Sequence, residues 1–452
     1  MERTTDKTKF TAPNPWIWVP TLYFAEGVPY FIVNNISVAL FAQMGVPNGQ
    51  MALFTSLLYL PWTLKPLWSP IVDITLTKRR WIVAMQAVVA ISLILLTLTL
   101  PHPDTATIEA GNTPMSLFSF TLILFVITAF ASATHDIAAD GFYMLALDEH
   151  KQAAYVGLRS VFYRLSNIFC NSLLVFIAGW LETHGRSIPA AWSYTLAAAA
   201  VLFCLLTLWH SRLLPKQIKT DDEKSGDTEK ESKHSLAFNF GDVFVSFFKK
   251  PHIVFALLFM LLFRLPEAFL LKMVTPFMLG TNGDGIGITL EQYSIIYGMA
   301  GVIDLLAGGI LGGIYASRVG LRKALWLMVA AITLPDIVYL ILCIYPTHNL
   351  LYLGMAVALE QFGYGFGFTA YMLYLMYFSQ GERQTSHYAL CTAFMALGMM
   401  LPGAMAGYVQ ESLGYTLFFA LVMLLCFMTV VVSKMVQPTI DPEYGKKTEQ
   451  KD

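Results

Sequence analysis

Apolar runs of bilayer-crossing length recur along the whole chain, separated by short polar turns. At 1.5 Å per residue, about 20 apolar residues cross a hydrocarbon core of about 30 Å. The pattern predicts twelve helices, over residues 16–43, 50–74, 81–101, 116–147, 152–181, 190–212, 251–279, 291–316, 323–345, 349–379, 384–410 and 414–436. The fourth and tenth are longer than a bilayer requires, which predicts tilt or extension beyond it. Prolines 61, 66 and 70 should irregularise the second helix, and Pro266 and Pro276 should kink the seventh.

Polar residues inside these runs keep helical spacing. In the fourth helix Ser132, Asp136, Asp140 and Tyr143 share a face, and in the fifth so do Ser160, Arg164, Asn167 and Asn171. The first helix carries Tyr23, Glu26, Tyr30, Asn34 and Ser37 on one stripe; the tenth carries Glu360, Tyr364, Gly367, Tyr371 and Tyr374, with Gln361 beside it. Stripes of this kind are tolerated in hydrocarbon only when they face protein or a wet cavity. They therefore predict a polar interior site.

The charged members leave two readings each. Asp136 and Asp140 either pair with Arg159 or Arg164, or exchange protons, since an ionised carboxylate in hydrocarbon is costly. Glu26 is a second candidate proton carrier, or a carboxylate bonded to a neighbouring tyrosine. Lys65 pairs with an acid across the bundle or snorkels to the interface. Arg264 and Glu267, at i and i+3, form an internal ion pair, or Arg264 or Lys272 meets an anionic group on a ligand. Tyrosines offer a flat face and a hydroxyl suited to sugar rings, though they also fill membrane cores. His135 points away from Asp136 and reads as a packed residue. The AGGILGG segment at 307–313 reads as a helix-packing surface.

Composition adds the class. With 56% hydrophobic and 13% charged residues against the usual quarter for soluble proteins, the chain is an integral membrane protein. A net charge of −1 gives no field for nucleic acid. The five cysteines sit in apolar segments without paired spacing, so neither disulfides nor metal ligation is expected. The polar start followed by a full-length span is not a cleavable leader. Of the 29 Lys and Arg residues, Arg186 falls in an outer loop and Lys65, Arg159, Arg164, Arg264 and Lys272 fall in spans when the N-terminus is cytoplasmic. The other 23 are then cytoplasmic, which fixes the expected orientation.

The expected organisation is a cytoplasmic tail at 1–15, a six-helix bundle at 16–213, a cytoplasmic linker at 214–250, a second bundle at 251–437 and a tail at 438–452. The charged first part of the linker reads as disordered and its aromatic second part as an interfacial helix. The final tail, polar throughout, reads as loose. The halves echo one another: SPIVDITLTKRR at 69–80 stands where GGIYASRVGLRK stands at 312–323, and YMLAL at 143–147 matches YMLYL at 371–375. Two six-helix halves in parallel repeat predict alternating access around a midplane site. No Walker A sequence, HExxH or GxSxG is present, which argues against ATP-driven transport and hydrolytic enzymes.

The inter-helix loops resemble the signature of the major facilitator superfamily, with Asp73, Lys78, Arg79 and Arg80 in the first copy and Ser317 in place of the acid in the second. Within that superfamily, FAEGVP (24–29), LKPLWSPIVD (64–73), SATHDIAAD (132–140), YRLSN (163–167), RLPEAF (264–269) and ALEQFGYGFG (358–367) resemble the AmpG muropeptide permeases and the related acetyl-CoA transporters. The resemblance implies an all-α, twelve-helix transporter without cofactor. It would act as a monomer in the bacterial inner membrane and import a muropeptide with protons. Asp136 and Asp140 fall in its motif; Glu26 does not and stands on the residues alone. Arg164, Asn167, Arg264, Glu267, Glu360, Gln361, Tyr364, Tyr30 and Asn34 are the expected cavity lining, and Asp73 with Lys78 to Arg80 the expected gate. Acetyl-CoA, a siderophore or a sugar-like solute is the alternative cargo; a membrane-embedded enzyme is the alternative class.

Overall fold

The computed structural model describes residues 9–10, 14–147, 149–218, 241–280, 285–381 and 384–446. Twelve helical passes run through them. In chain order we label them α1 (Pro15–Gln43), α2 (48–74), α3 (Lys78–Thr99), α4 (Met115–Ala146), α5 (149–183), α6 (Ile188–Leu213), α7 (Ile253–Leu279), α8 (Leu290–Val319), α9 (Leu321–Ile344), α10 (Leu350–Ser379), α11 (384–413) and α12 (415–436). The last two are one helical run interrupted at Gly414, whose φ of 70° is the left-handed conformation that glycine tolerates.

Local chemistry sets the ends. Thr77 caps α3 by accepting from the Arg80 N–H, Asn349 caps α10 through the Leu351 N–H, and Thr289 with Gln292 forms a reciprocal capping box at α8. The prolines act differently from expectation in two places. Both α2 and α7 are broken, at 58–59 and 263–264, and Pro61 and Pro266 occupy the first turns of the pieces that follow. A proline there lacks an N–H that would be unpaired anyway, so it starts a helix instead of kinking one. Three passes also contain a wider turn with i to i+5 bonding: 32–36 in α1, 169–174 in α5 and 294–301 in α8.

The passes form two bundles. In the first, α1 packs on α5 and α3 on α4 and α6; in the second, α10 lies between α8 and α9 while α7 packs on the α11–α12 run. Gly308 and Gly312 of the AGGILGG segment lie against the backbone of Phe362 and Phe366 in α10, the packing surface the sequence suggests. Across the midline α1 meets α7, α2 meets α11 and α5 meets α8. At one end the halves are clasped: Asn48 donates to Gln410 at 2.7 Å and to the Tyr415 hydroxyl at 3.1 Å, and the Gly49 N–H donates to Glu411 at 2.7 Å. The linker and both tails leave from the opposite end.

A helix runs over 241–248, within the linker part expected to be helical, with Phe247 buried against Phe378 and Phe394. The linker segment expected to be disordered, 216–234, lies outside the described residues from 219 onward. Lys9–Phe10 pairs antiparallel with Gln217–Ile218. The final tail departs from expectation: up to residue 446 it docks. Tyr444 packs on Tyr377 and accepts from the Leu321 N–H, while Tyr377 donates to the Thr439 carbonyl. Aromatic burial outweighs the polarity of the surrounding residues.

Candidate functional site

Three contiguous voids run along the midline from the clasp toward the linker end. The largest, about 470 Å³, is bordered by both halves: Tyr30, Tyr59, Trp62, Lys65, Tyr163 and Asn167 from the first, Arg264, Tyr297, Gln361 and Tyr364 from the second. It continues into a void of about 390 Å³ bordered by Tyr23, Glu26, Arg159 and Arg164, and into a smaller one of about 90 Å³ toward the clasp.

Charges of the first half converge on the wall of this cavity. The i, i+4 spacing of Asp136 and Asp140 presents both carboxylates of α4 to one side, as the sequence predicts. Lys65 of α2 donates to Asp136 Oδ2. Arg159 of α5 lies 2.9 Å from Asp140 Oδ1, which also accepts from the Tyr23 hydroxyl at 3.1 Å. The Arg159 guanidinium sits 4.5 Å above the Tyr23 ring, an additional cation–π contact. Glu26, three residues along α1 from Tyr23, lies beside Asp136, and its Oε2 is buried without a hydrogen bond. The cluster thus holds three carboxylates against two cations. Of the two sequence readings for the aspartates, pairing is what the structure shows, with Lys65 and Arg159 as the partners. Arg164 instead borders the void, and among the described residues no carboxylate pairs with it.

Second-half charges are arranged otherwise. Arg264 stands at the break in α7 and forms a bidentate pair with Glu267, at 2.9 and 3.0 Å, within the same helix. It also donates to the Tyr364 hydroxyl at 2.7 Å and stacks 4.7 Å from Phe368. Glu360 is held by neutral donors only: Tyr339 at 3.1 Å and Gln361 at 2.9 Å, while the same Gln361 amide reaches the Tyr297 hydroxyl at 3.1 Å.

Of the expected lining, Tyr30, Asn167, Arg264, Gln361 and Tyr364 border the largest void, Arg164 borders the middle one and Asn34 the smallest. Glu267 and Glu360 stand one layer behind, bonded to Arg264 and Gln361. Tyr371 and Tyr374, on the expected stripe, turn into the core of the second bundle against Phe259, and Tyr371 donates to the Met260 carbonyl. In the expected gate, Arg79 caps α6 through the carbonyls of Ser211 and Leu214, Lys78 lies across Gly141 of α4, and Arg80 is exposed. The Asp73 side chain lies outside the description.

An aromatic wall was not anticipated as a unit. Tyr30, Trp62, Tyr59 and Tyr163 stand edge to face or tilted, with Tyr30 5.1 Å from Trp62 and 6.4 Å from Tyr163. Its sequence signal was present: Tyr59 and Trp62 precede Lys65 by six and three residues. Asn35, Asn171 and Tyr297, which also line the cavity, sit in the three wide turns. Such turns concentrate at functional sites and shift the helical register, so a period of 3.6 residues finds Asn34 and Asn171 on their stripes but misses Asn35 and Tyr297. His135 is buried and bonded to Gln86 at 2.9 Å, away from the cavity cluster, in keeping with a packed role. Among the described residues no group of three or more His, Cys, Asp or Glu side chains is placed to hold a metal ion.

Two helix bundles clasped around a midline void, with ionic side chains from both beside it, are the architecture of a membrane transporter. The chain belongs to the Major Facilitator Superfamily, whose sequence profile matches residues 21–335 and 267–452. Within it the chain is AmpG-like. It is 25% identical over 406 residues to the Anhydromuropeptide permease of Escherichia coli K12, covering 88% of this chain and 74% of that protein. It is also 25% identical over 415 residues to the Putative transporter AmpG 4 of Rickettsia conorii, covering 89% and 92%. Among solved structures, a D-xylose-proton symporter superposes with a TM-score of 0.65 at 13% identity, covering 96% of this chain and 99% of that one. A bacterial homolog of the human lysosomal transporter Spinster gives 0.63 at 14%, covering 94% and 97%. These two likenesses concern the fold.

Proposed function

We propose that this transporter is a symporter that imports sugar–peptide fragments of the cell wall, anhydromuropeptides, together with protons across the bacterial inner membrane. The observation that carries the proton part is the excess carboxylate of the first half. Glu26, Asp136 and Asp140 face Lys65 and Arg159, so the cluster bears one net negative charge when all three acids are ionised. A single proton neutralises it. A neutral cluster is easier to carry through the closed state, where the cavity loses its water, than one with an uncompensated charge. Protonation from the outside and release to the more alkaline cytoplasm would then tie the net direction of reorientation to the gradient.

The cargo part is supported by the relatives' names and by the cavity. Tyr30, Tyr59, Trp62 and Tyr163 offer flat faces and hydroxyls to a sugar ring, and Asn167, Asn171 and Gln361 offer amides to its hydroxyl and acetamido groups. Arg264, held rigid by Glu267 and Tyr364, presents its remaining N–H groups. Asp73 and Lys78 to Arg80 stand at the α2–α3 turn on the linker end, where we assign the gate. Both termini face the cytoplasm in this reading, and the working unit is one chain.

Reconstitution in proteoliposomes tests it. An inside-alkaline gradient should drive labelled muropeptide to several times its external concentration. Uptake that merely equilibrates, with or without the gradient, would overturn the symport.

A further inference from the structure

Lys272 is one of the two bases that the sequence offers to an anionic group on a ligand. It lies in the second piece of α7 at the midline, 7% exposed. Its ammonium donates to Thr55 Oγ1 across the interface at 3.1 Å and stands 5.7 Å from the centre of the Tyr59 ring. An ammonium has three donors, and among the described residues no carboxylate pairs with it. The other basic side chains of the interior clusters are served differently: Lys65, Arg159 and Arg264 each hold a carboxylate. A buried ammonium without a counter-ion is disfavoured unless it gives up its proton, and an arriving anion would supply the missing partner.

The place it could arrive is present. Lys272 borders the smallest of the three voids with Asn34, Asn35, Asn171, Thr275 and Tyr293. That void joins the large cavity, because Asn35, Tyr59, Asn171 and Tyr297 border both. A second observation comes from Asn34. Its amide N–H group is committed to the Tyr30 carbonyl at 3.0 Å, which fixes the orientation of the amide and leaves Oδ1 buried with no donor. Buried acceptors are rarely left so without a reason.

We propose that this pocket is a subsite for the terminal carboxylate of the cargo's peptide. The carboxylate would sit on Lys272, and the amide N–H beside it would turn toward Asn34 Oδ1. The sugar rings would lie against the aromatic wall of the larger cavity. The proposal rests on the sugar–peptide reading of the cargo and adds which end goes where: peptide terminus toward the clasp, sugar toward the linker end.

The test compares one muropeptide with a free terminal carboxylate and the same compound as its carboxamide. The wild type should favour the acid by about tenfold in KM, the loss of one charge-assisted contact. Lys272→Gln should erase that preference and Lys272→Arg should keep part of it. A wild type without preference, or a Gln variant that retains it, overturns the subsite. If the wild type transports neither form, the cargo reading is what fails, and Lys272 is judged on purified protein with N-acetylalanine and N-acetylalaninamide. Thermal stabilisation of the wild type and Lys272→Arg by the acid alone, lost in Lys272→Gln, supports the subsite. No shift in the wild type, or an equal shift with the amide or in the Gln variant, overturns it. Should Lys272→Gln not fold, the acid–amide comparison on the wild type decides by itself.

Discussion

The two halves carry similar acids and use them differently. The first gathers Glu26, Asp136 and Asp140 with Lys65 and Arg159, and sets Arg164 on the void; the second holds Glu267, Asp336 and Glu360 with Arg264 and Lys272. In the first half the ion pairs bridge different helices, α2 to α4 and α4 to α5, and their side chains are 19–35% exposed. In the second, the ion pair closes within α7 and is 5–10% exposed. Glu360 sees only hydroxyl and amide donors, and Asp336 has the Cys426 thiol at 3.8 Å. Pairs that bridge helices beside a wet void can exchange partners and protons when the helices shift. A bidentate pair inside one helix cannot do so without losing its geometry. Under the proposed symport, the comparison favours the first half for proton handling and gives the second a rigid ion pair that stands opposite the first half's aromatic wall.

The largest effect should come from breaking the first half. Asp140→Asn should abolish accumulation against a gradient, while exchange of labelled for unlabelled cargo at equal concentrations persists and the protein stays folded. Wild-type accumulation in this variant would remove the distinction between the halves.

Breaking the second half should show first in stability. Arg264→Gln leaves Glu267 buried without its cation, a loss of about 3–5 kcal/mol for a severed buried pair. A thermal melt of the purified protein should fall clearly, and the double replacement Arg264→Met with Glu267→Met should recover most of the fall without recovering uptake. A double variant that transports would mean that Arg264 does not contact cargo.

The midline offers two smaller perturbations. A Cβ on Gly298 would stand 2.1 Å from the Asn171 carbonyl oxygen, where the wide turns of α5 and α8 meet. Gly298→Ala should cost about 1–3 kcal/mol through overpacking, read as a lower melting temperature with slower uptake. Asn48→Ala removes both clasp bonds to Gln410 and Tyr415. At a net worth of about 1 kcal/mol per bond, the loss should raise the population open at the clasp end, read from the distance between spin labels on the two halves. An unchanged distance distribution would show that the clasp does not set the closed state.

How far these assignments were legible in the sequence follows from periodicity. Glu26, Asp136 and Asp140 stand on stripes of 3.6-residue spacing in unbroken helix, and they converge as that spacing predicts. Which base meets which acid was not readable, because Lys65 and Arg159 approach from different helices at heights that only packing fixes. Tyr371 and Tyr374 kept the helical spacing of Glu360 yet bury in the second bundle, because a 30-residue helix presents one stripe to different neighbours along its length. Asn35 and Tyr297 were hidden by the wide turns that carry them, whereas Asn171, also in a wide turn, kept its place on the fifth-helix stripe. The docked tail was hidden because Tyr444 finds its partner, Tyr377, 67 residues away along the chain.

Cargo-driven proton movement tests the assignment of the first half most directly. Muropeptide added to lightly buffered proteoliposomes with no imposed gradient should make the outside medium more alkaline in the wild type. The signal should vanish in Glu26→Gln and in Asp140→Asn. Muropeptide entering the wild-type vesicles with no change in external pH would contradict the account.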